Sequence, residues 1–215
     1  MRIYRDREKA KSYFYYYGWT ILVFIAGFFL LFFLIFQNIF AVKRTQRIEM
    51  FIAAFGLKDY EYANKIKKQF KAGGLIEMNI YSYLEDDINV FDYFSANGEN
   101  ADFVIFSETN IKDMQEYVPA NYMPLSSIED TVESVKSFET FDYEGTAYGI
   151  KIFDGVSETY NNKYKFKDLI EFTKEGKENE SYYLLIDNGS PNFDKENKHT
   201  LGYSVLSYFL YDMTI

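Results

Sequence analysis

The chain has 215 residues with no cysteine and one histidine, which excludes disulfides, thiolate catalysis, thiolate metal sites and a lipid-linked cysteine. The chain has 23 basic and 32 acidic residues. Five of the basic and two of the acidic residues lie in residues 1–42, so 18 basic and 30 acidic residues lie in the rest of the chain. The net charge of −12 beyond residue 42 argues against general electrostatic binding of nucleic acid or of an anionic membrane surface.

The most apolar stretch of the chain predicts a membrane-spanning helix over residues 19–42. No charged residue occurs from Ser12 to Val42. A helix needs roughly 20 apolar residues to cross a hydrocarbon core about 30 Å thick, and lipid offers no partner for unpaired backbone groups. The apolar run is longer than the roughly 7–15 residues of a signal-peptide core, so we expect an uncleaved signal anchor that contacts the lipid bilayer.

The flanks of this stretch predict its orientation. Five basic residues precede it and three follow it: Arg2, Arg5, Arg7, Lys9 and Lys11 on one side, and Lys43, Arg44 and Arg47 on the other. The positive-inside rule therefore favours residues 1–18 as a cytoplasmic tail. We expect a single-pass protein of the cell membrane with its large domain outside the cytoplasm.

The sequence contains few of the residue patterns that are typical of enzyme active sites. The histidine, His199, lies in a charged and polar stretch that predicts an exposed loop, and no nucleophile stands near it. Neither a phosphate-binding Walker loop nor a dinucleotide fingerprint is present. Carboxylates are numerous, but sequence spacing cannot pair two of them as a glycosidase requires. We therefore expect a protein that is not an enzyme and that has no cofactor or metal.

Strands and helices alternate from residue 47 to residue 118. Buried strands are predicted over residues 47–55, 75–83 and 101–106. Side chains that can cap a helix follow each strand: Asp59, Asp86 or Asp87, and Ser107 or Thr109. This alternation predicts βαβ units, an α/β fold with a mostly parallel sheet, and ligand binding beyond the carboxyl ends of the strands.

The pattern after residue 120 is more varied. Residues 121–126 predict an extended stretch and residues 127–137 a helix. Residues 141–146 predict a hairpin turn that leads into a strand over 147–153.

Several of these segments, in this order, resemble the family 1 extracellular solute-binding proteins, the group that includes maltose-binding protein. The likeness rests on a strand ending at Gly56 followed by a helix ending at Gly73-Gly74, and on the segments 101–107, 121–126, 145–150 and 159–163. Lys151 departs from the family, which usually has proline at that position.

The resemblance implies a periplasmic-binding-protein type II-like lobe over residues 43–163, with a mostly parallel sheet and flanking helices. Residues 164–215 then correspond to a partial second lobe. In that lobe, a helix is expected over 164–178, a strand over 183–189 and a helix over 200–211.

The resemblance also implies a ligand cleft, with polar side chains supplied by loops that follow the strands. The ligand-binding candidates are Lys58, Asp59, Tyr83, Ser107, Glu108, Asn110, Asp154, Asn188 and Asn192. Ser190 also follows the lobe-two strand, and Tyr122 and Phe153 are further aromatic candidates for the face of a sugar ring. Each polar group can instead cap a helix or lie in a solvated turn, and each aromatic ring can instead belong to the core.

Two functions follow from this sequence. The first is a membrane-tethered domain that captures a carbohydrate for an ABC importer, with the transporter permease subunits as partners. The second is a ligand-free accessory or interaction subunit at the membrane, or a fragment of a longer binding protein.

Overall fold

The computed structural model describes residues 2–83, 101–173, 179–194 and 196–214. They belong to two compact units, Met1–Val42 and Lys43–Ile215. The helix expected at Asp86 or Asp87 lies outside the described residues.

The first unit contains one long helix, α1, over Arg2–Phe40. Within it, Tyr15–Phe36 has a mean hydropathy of 2.8 over 22 residues. At 1.5 Å per residue this part is about 33 Å long, so its length and composition meet the requirement for crossing a bilayer. The helix begins well before residue 19, so the predicted tail is helical from Arg2 onward.

The second unit is built from short strands and helices. Its strands are β1 Arg47–Ala53, β2 Gly56–Leu57, β3 Glu77–Tyr83, β4 Phe103–Ser107, β5 Thr140–Tyr143, β6 Thr146–Phe153, β7 Ile170–Glu171 and β8 Tyr182–Ile186. Its helices are α2 Tyr62–Phe70, α3 Glu108–Asp113, α4 Val118–Asn121, α5 Glu158–Lys163, α6 Phe166–Leu169 and α7 Leu201–Asp212.

Six of the strands form one mixed sheet in the order β3-β1-β4-β8-β6-β5. β1 is parallel to both β3 and β4, whereas β8 is antiparallel to β4 and β6, and β5 is antiparallel to β6. Four of the six strands therefore run in one direction, which confirms an α/β fold but with antiparallel pairs in half of the sheet.

The position of β8 differs from the sequence prediction. Residues 164–215 were expected to form a partial second lobe, but Tyr182–Ile186 lies in the middle of the sheet, between β4 and β6. All five of its residues are buried. A strand that is apolar on both faces is stabilised by neighbours on both edges, and Lys43–Ile215 form one compact unit.

Two predicted helices are much shorter in the structure. The helix expected over 164–178 is limited in the described residues to α6, after which Ile170–Glu171 pairs with Gly56–Leu57 as a two-stranded sheet. Residues 174–178 lie outside the described residues. The helix expected over 127–137 is replaced by 3₁₀ turns at Leu125–Ser127 and Glu133–Ser137, because Val132 has a non-helical backbone.

The hairpin prediction is confirmed. Strands β5 and β6 are joined by Glu144 and Gly145, whose φ angles are 50° and 79°. Positive φ at both positions is typical of the two-residue turns that match strand twist, and glycine adopts it without steric cost.

Helices cover both faces of the sheet. The larger core includes α2 and α7, with Ile66, Val205 and Phe209 packed on residues such as Ile105 and Leu184. The smaller core, on the opposite face, includes Ile111 of α3 together with Val118, Phe106, Tyr183 and Leu185.

Candidate ligand-binding site

The strands of the six-stranded sheet end along two opposite edges. We call the edge at which β1, β3, β4 and β6 end the carboxyl edge, and the opposite one the amino edge. Because β8 is antiparallel to β4 and β6, it begins at the carboxyl edge and ends at the amino edge.

Asn188 and Asn192 therefore lie away from the other candidates, at the amino edge. The Nδ2 atom of buried Asn192 donates to the carbonyl oxygen of Arg47 at 2.8 Å and to Oδ1 of Asp102 at 3.0 Å. Asn188 is exposed, and its backbone N–H donates to the Asn121 carbonyl at 2.9 Å. The prediction assumed that the strand before them runs parallel to the others, whereas β8 is antiparallel to β4 and β6, so both asparagines lie at the opposite edge from Glu108 and Asp154. Ligand binding by these two side chains stays a prediction.

Ser190 shares this amino-edge position. Its hydroxyl donates to Oδ1 of Asp102, which also accepts from Asn192. Both side chains therefore hold the buried carboxylate in place.

Lys58 and Asp59 lie between strand β2 and helix α2. The Lys58 ammonium donates to the carbonyl of Lys167 at 3.0 Å, and Oδ1 of Asp59 accepts from the Glu61 backbone N–H at 2.9 Å. Since α2 packs on the larger core and α3 on the smaller one, these two side chains lie on the other face of the sheet from Glu108.

The remaining polar candidates meet at the carboxyl edge. Ser107 ends β4, and its hydroxyl caps α3 by accepting from the Asn110 backbone N–H at 3.3 Å. Glu108 forms an ion pair with Lys112 one turn later at 2.5 Å. Asp154 directly follows β6.

The segment before β8 holds the ends of β4 and β6 together. The Glu108 backbone N–H donates to the Ser181 carbonyl at 2.8 Å, and the Gly155 N–H donates to the Ser181 hydroxyl at 3.5 Å. A Cβ at Gly155 would lie 2.2 Å from the carbonyl carbon of Asn179, so only glycine allows this close approach. Glu180 joins the contact by accepting from the Thr109 N–H at 2.7 Å.

Lys151 is the centre of a charged group that the sequence analysis did not include in the site. Its ammonium lies 2.6 Å from Oε2 of Glu139 and 3.1 Å from Oδ2 of Asp154. Burial alone would lower the pKa of Lys151, but the hydrogen bonds with the two carboxylates outweigh burial and hold that pKa above its ordinary value. The lysine therefore stays charged.

Tyr183 completes this group from the neighbouring strand. Burial raises its pKa to about 12; the Lys151 ammonium opposes the rise, and the carboxylates of Glu108, Asp154 and Glu139 add to it. We call these five residues, Glu108, Glu139, Lys151, Asp154 and Tyr183, the edge cluster. A lysine in a buried strand three residues before an aspartate was the sequence signal for it.

Asp154 is fixed in its ionised form. Burial tends to raise its pKa, but hydrogen bonds from the backbone of Val156, from Lys151 and from the backbone of Ser157 outweigh this and lower it. Buried Asn161 pairs with both the N–H and the carbonyl of Asp154, at 2.9 and 2.6 Å. The loop after β6 is thus rigidly placed.

The aromatic candidates divide between core and surface. Phe153 is buried and stacks on Phe172 at 4.7 Å between ring centroids, and Tyr122 is buried in the smaller core. The prediction that these two offer a face to a sugar is therefore wrong. Tyr83, half-buried at the end of β3, lies at the carboxyl edge.

The described residues contain no group of three or more histidine, aspartate or glutamate side chains arranged to hold a metal ion. The edge cluster can instead accept hydrogen bonds through three carboxylates and donate them through an ammonium and a phenol.

No family model and no curated protein sequence matches the chain. Among solved structures, the N-glycan transport solute binding protein of Streptococcus pneumoniae is 14% identical, with a TM-score of 0.38 over 55% of this chain and 29% of that one. The maltose/maltodextrin-binding domain of Bdellovibrio bacteriovorus, bound to maltotriose, is 12% identical with a TM-score of 0.31 over 49% and 28%.

An ABC substrate-binding protein of Listeria monocytogenes, in complex with cycloalternan, is 17% identical with a TM-score of 0.27 over 49% of this chain and 28% of that one. The chain spans less than a third of the length of each of these structures.

Proposed function

We propose that this protein is a membrane-anchored solute-binding domain outside the cytoplasm, which captures a carbohydrate at the carboxyl edge of its sheet and delivers it to the permease subunits of an ABC importer. The observation that carries this proposal is the edge cluster. It brings together polar side chains from β6, β8, α3 and the loops at the ends of the sheet strands.

The chemistry of the edge cluster suits a ligand rich in hydroxyl groups. A sugar hydroxyl both donates and accepts, so it can bond to the carboxylates of Glu108 and Asp154 and accept from Lys151. Charged groups already held in place by their neighbours need little reordering when such a ligand binds. Tyr83 at the same edge supplies an aromatic surface for the apolar side of a sugar ring.

Helix α1 supports the tethered form of this function. Its apolar part, Tyr15–Phe36, is long enough to span a bilayer. A domain that is tethered in the same membrane as a transporter has a high effective concentration near that transporter, because it cannot diffuse away from the membrane.

Thermal unfolding of residues 43–215 against a panel of sugars tests the proposal, since these residues form a compact unit of their own. A sugar at 100 times its Kd should raise the free energy of unfolding by about 2.7 kcal/mol. Glu139→Gln should weaken this response, whereas Glu144→Gln, the same change at the hairpin tip of the amino edge, should not. A folded domain that responds to no sugar contradicts the proposal.

A specific observation favours the second function, an interaction subunit without a ligand. The groups of the edge cluster already bond to one another, and Asn179 and Glu180 lie directly against Gly155. Affinity purification of the full-length protein from its own membrane distinguishes the two functions. Permease subunits that co-purify whether or not sugar is present, with no sugar response in the domain, support the interaction subunit.

A further inference from the structure

Two neighbouring residues of helix α5 bond to the two partners of an ion pair in the edge cluster. The Tyr160 hydroxyl donates to the Lys151 carbonyl at 2.6 Å, and the Asn161 side chain bonds to the backbone of Asp154. The side chains of Lys151 and Asp154 are joined to each other at 3.1 Å. Helix α5 therefore holds both partners of this pair by their backbones and does not use their carboxylate.

The Asn161 amide fits the backbone of Asp154 in one orientation only. Its Oδ1 accepts from the Asp154 N–H at 2.9 Å, and its Nδ2 donates to the Asp154 carbonyl at 2.6 Å. The reverse orientation would place donor against donor and acceptor against acceptor. Because Asn161 is only 5% exposed, it fixes Asp154 without reaching a ligand itself.

The loop that follows β6 carries this order to the Asp154 carboxylate. Its Oδ1 accepts from the N–H groups of Val156 and Ser157, both at 2.9 Å, and its Oδ2 accepts from the Lys151 ammonium. Ser157 then caps α5, since its hydroxyl accepts from the Tyr160 N–H at 3.2 Å. The loop and the first turn of α5 therefore fix each other.

Tyr160 contacts Lys151 in two ways. The Lys151 ammonium lies 5.7 Å from the centroid of the Tyr160 ring, within the range of a cation–π attraction. Burial raises the pKa of Tyr160 far above its ordinary value, so the hydroxyl stays protonated and donates to the Lys151 carbonyl. The lysine is thus held at its backbone and at its charged end, where Glu139 and Asp154 also bind it.

We propose that Tyr160 and Asn161 are positioning residues of the edge cluster, which hold Lys151 and Asp154 in the arrangement that binds a sugar without contacting the sugar themselves. This inference rests on the proposed function, because it concerns the same site. Groups that are already in place lose little freedom when a ligand binds. Loosening them should therefore lower the affinity although every group that the sugar touches is still present.

The test uses the full-length protein in lipid nanodiscs, with glucose, N-acetylglucosamine and maltotriose as probes and titration calorimetry to measure affinity. Asn161→Ala removes both bonds to the Asp154 backbone. Tyr160→Phe removes the bond to the Lys151 carbonyl but keeps the ring beside the ammonium. All measurements are made at a temperature at which the variants are folded.

Each variant has a matched control. Asn162 is exposed on the same helix and accepts from the Lys167 ammonium at 2.6 Å, so Asn162→Ala removes the neighbouring amide without touching the edge cluster. The hydroxyl of buried Tyr203 donates to the Asp194 carbonyl, so Tyr203→Phe removes a tyrosine hydroxyl elsewhere in the fold.

We expect Asn161→Ala to lower the affinity for a bound sugar by about tenfold and Tyr160→Phe by about threefold, as for the loss of order in one or two groups of a site. Asn162→Ala and Tyr203→Phe should keep the affinity of the parent protein.

Amide hydrogen exchange, resolved to single residues by mass spectrometry, separates positioning from a general loss of stability. The Val156 and Ser157 N–H groups donate to the Asp154 carboxylate and not to Asn161. In Asn161→Ala both should exchange at least about tenfold faster through local opening, because the carboxylate that protects them moves. A purely structural role would instead speed exchange in the core, as at Ile52 of β1, and leave these two loop amides at the parent rate.

The outcomes distinguish this inference from the proposed function. If the parent protein binds one of the sugars and Asn161→Ala binds it equally, the positioning role is wrong and the proposed function stands. If the parent binds none of them, the proposed function is contradicted and the exchange rates decide: unchanged rates at Val156 and Ser157 overturn the positioning of Asp154, and faster rates support it. If Asn161→Ala does not fold, Tyr160→Phe decides, and an affinity equal to that of Tyr203→Phe overturns the proposal.

Discussion

Arg44 donates two hydrogen bonds to Asp102, from Nη1 to Oδ2 and from Nη2 to Oδ1, both at 2.9 Å. The carboxylate of Asp102 is completely buried, and it also accepts from the Glu49 backbone N–H at 2.8 Å. Arg44 lies two residues beyond the first structural unit, Met1–Val42. The first turn after that unit is therefore fixed to the start of β4 in the centre of the sheet.

Loss of this ion pair should destabilise the second unit strongly. Arg44→Met leaves Asp102 buried with its charge only partly compensated, and removal of one partner of a buried pair typically costs about 3–5 kcal/mol. Because the Arg44 side chain is 24% exposed, we expect the lower end of this range. Urea unfolding of residues 43–215 measures the effect. Exposed Lys43→Met is the control, and a parent-like midpoint for Arg44→Met would show that the ion pair contributes nothing.

Asn192 and Asn188 should behave oppositely when replaced by alanine. The Asn192 amide donates to Asp102 and to the carbonyls of Arg44 and Arg47, so Asn192→Ala should cost about 2–3 kcal/mol through lost bonds in a buried site. Asn188 is exposed, and its described contact is through the backbone, so Asn188→Ala should stay within about 0.5 kcal/mol.

The same two variants also test the corrected position of these side chains. Because both asparagines lie at the amino edge, neither change should alter a sugar response of the carboxyl edge. A selective loss of sugar binding in Asn188→Ala, with stability unchanged, would support the sequence prediction that Asn188 binds the ligand.

Local patterns in the sequence predicted the individual elements well. Strands β1, β3 and β4, helix α2, the hairpin and helix α7 lie within a few residues of their predicted positions. Each of these segments has a clear apolar period or a turn with glycine, and such signals depend only on near neighbours in the chain.

The same patterns could not predict how β8 pairs. The run Tyr182–Ile186 is apolar at every position, which indicates a buried strand but not its direction or its neighbours. The direction of β8 determines which side chains lie together. Because β8 is antiparallel to β4 and β6, Asn188 and Asn192 lie at the amino edge, whereas Glu108 and Asp154 lie at the carboxyl edge. Lys151 was noted only as a departure from a family pattern, because its contact with Glu139 depends on the pairing of two strands.

Asp154 should make stability depend on pH in acid. Its pKa lies below the ordinary value of 3.8 in the folded protein, where hydrogen bonds outweigh burial. The carboxylate therefore binds protons more readily in the unfolded chain, so its stabilisation is complete well above pH 3.8 and is lost as pH falls through the folded pKa. Asp154→Asn should remove this part of the acid dependence. Urea midpoints between about pH 2 and pH 6 measure it, and parallel curves for the variant and its parent would exclude this role.

Gly155 should tolerate no side chain. A Cβ there would lie 2.2 Å from the Asn179 carbonyl carbon and 2.5 Å from the Glu180 nitrogen, and both are backbone atoms that cannot rotate away. Gly155→Ala must push the loop after β6 away from the segment before β8, so we expect a loss of about 1–3 kcal/mol, as for other overpacked sites.

The control for this change is Gly73→Ala, since a Cβ at Gly73 would have no atom within 4 Å and the backbone there needs no left-handed conformation. If the edge cluster binds sugar, Gly155→Ala should also weaken that binding at temperatures where the domain is still folded, because it moves Asp154 relative to Glu108. Unfolding midpoints and sugar titrations of both variants measure this. Equal stability of the two variants would mean that the segment before β8 does not hold the carboxyl edge in the arrangement described.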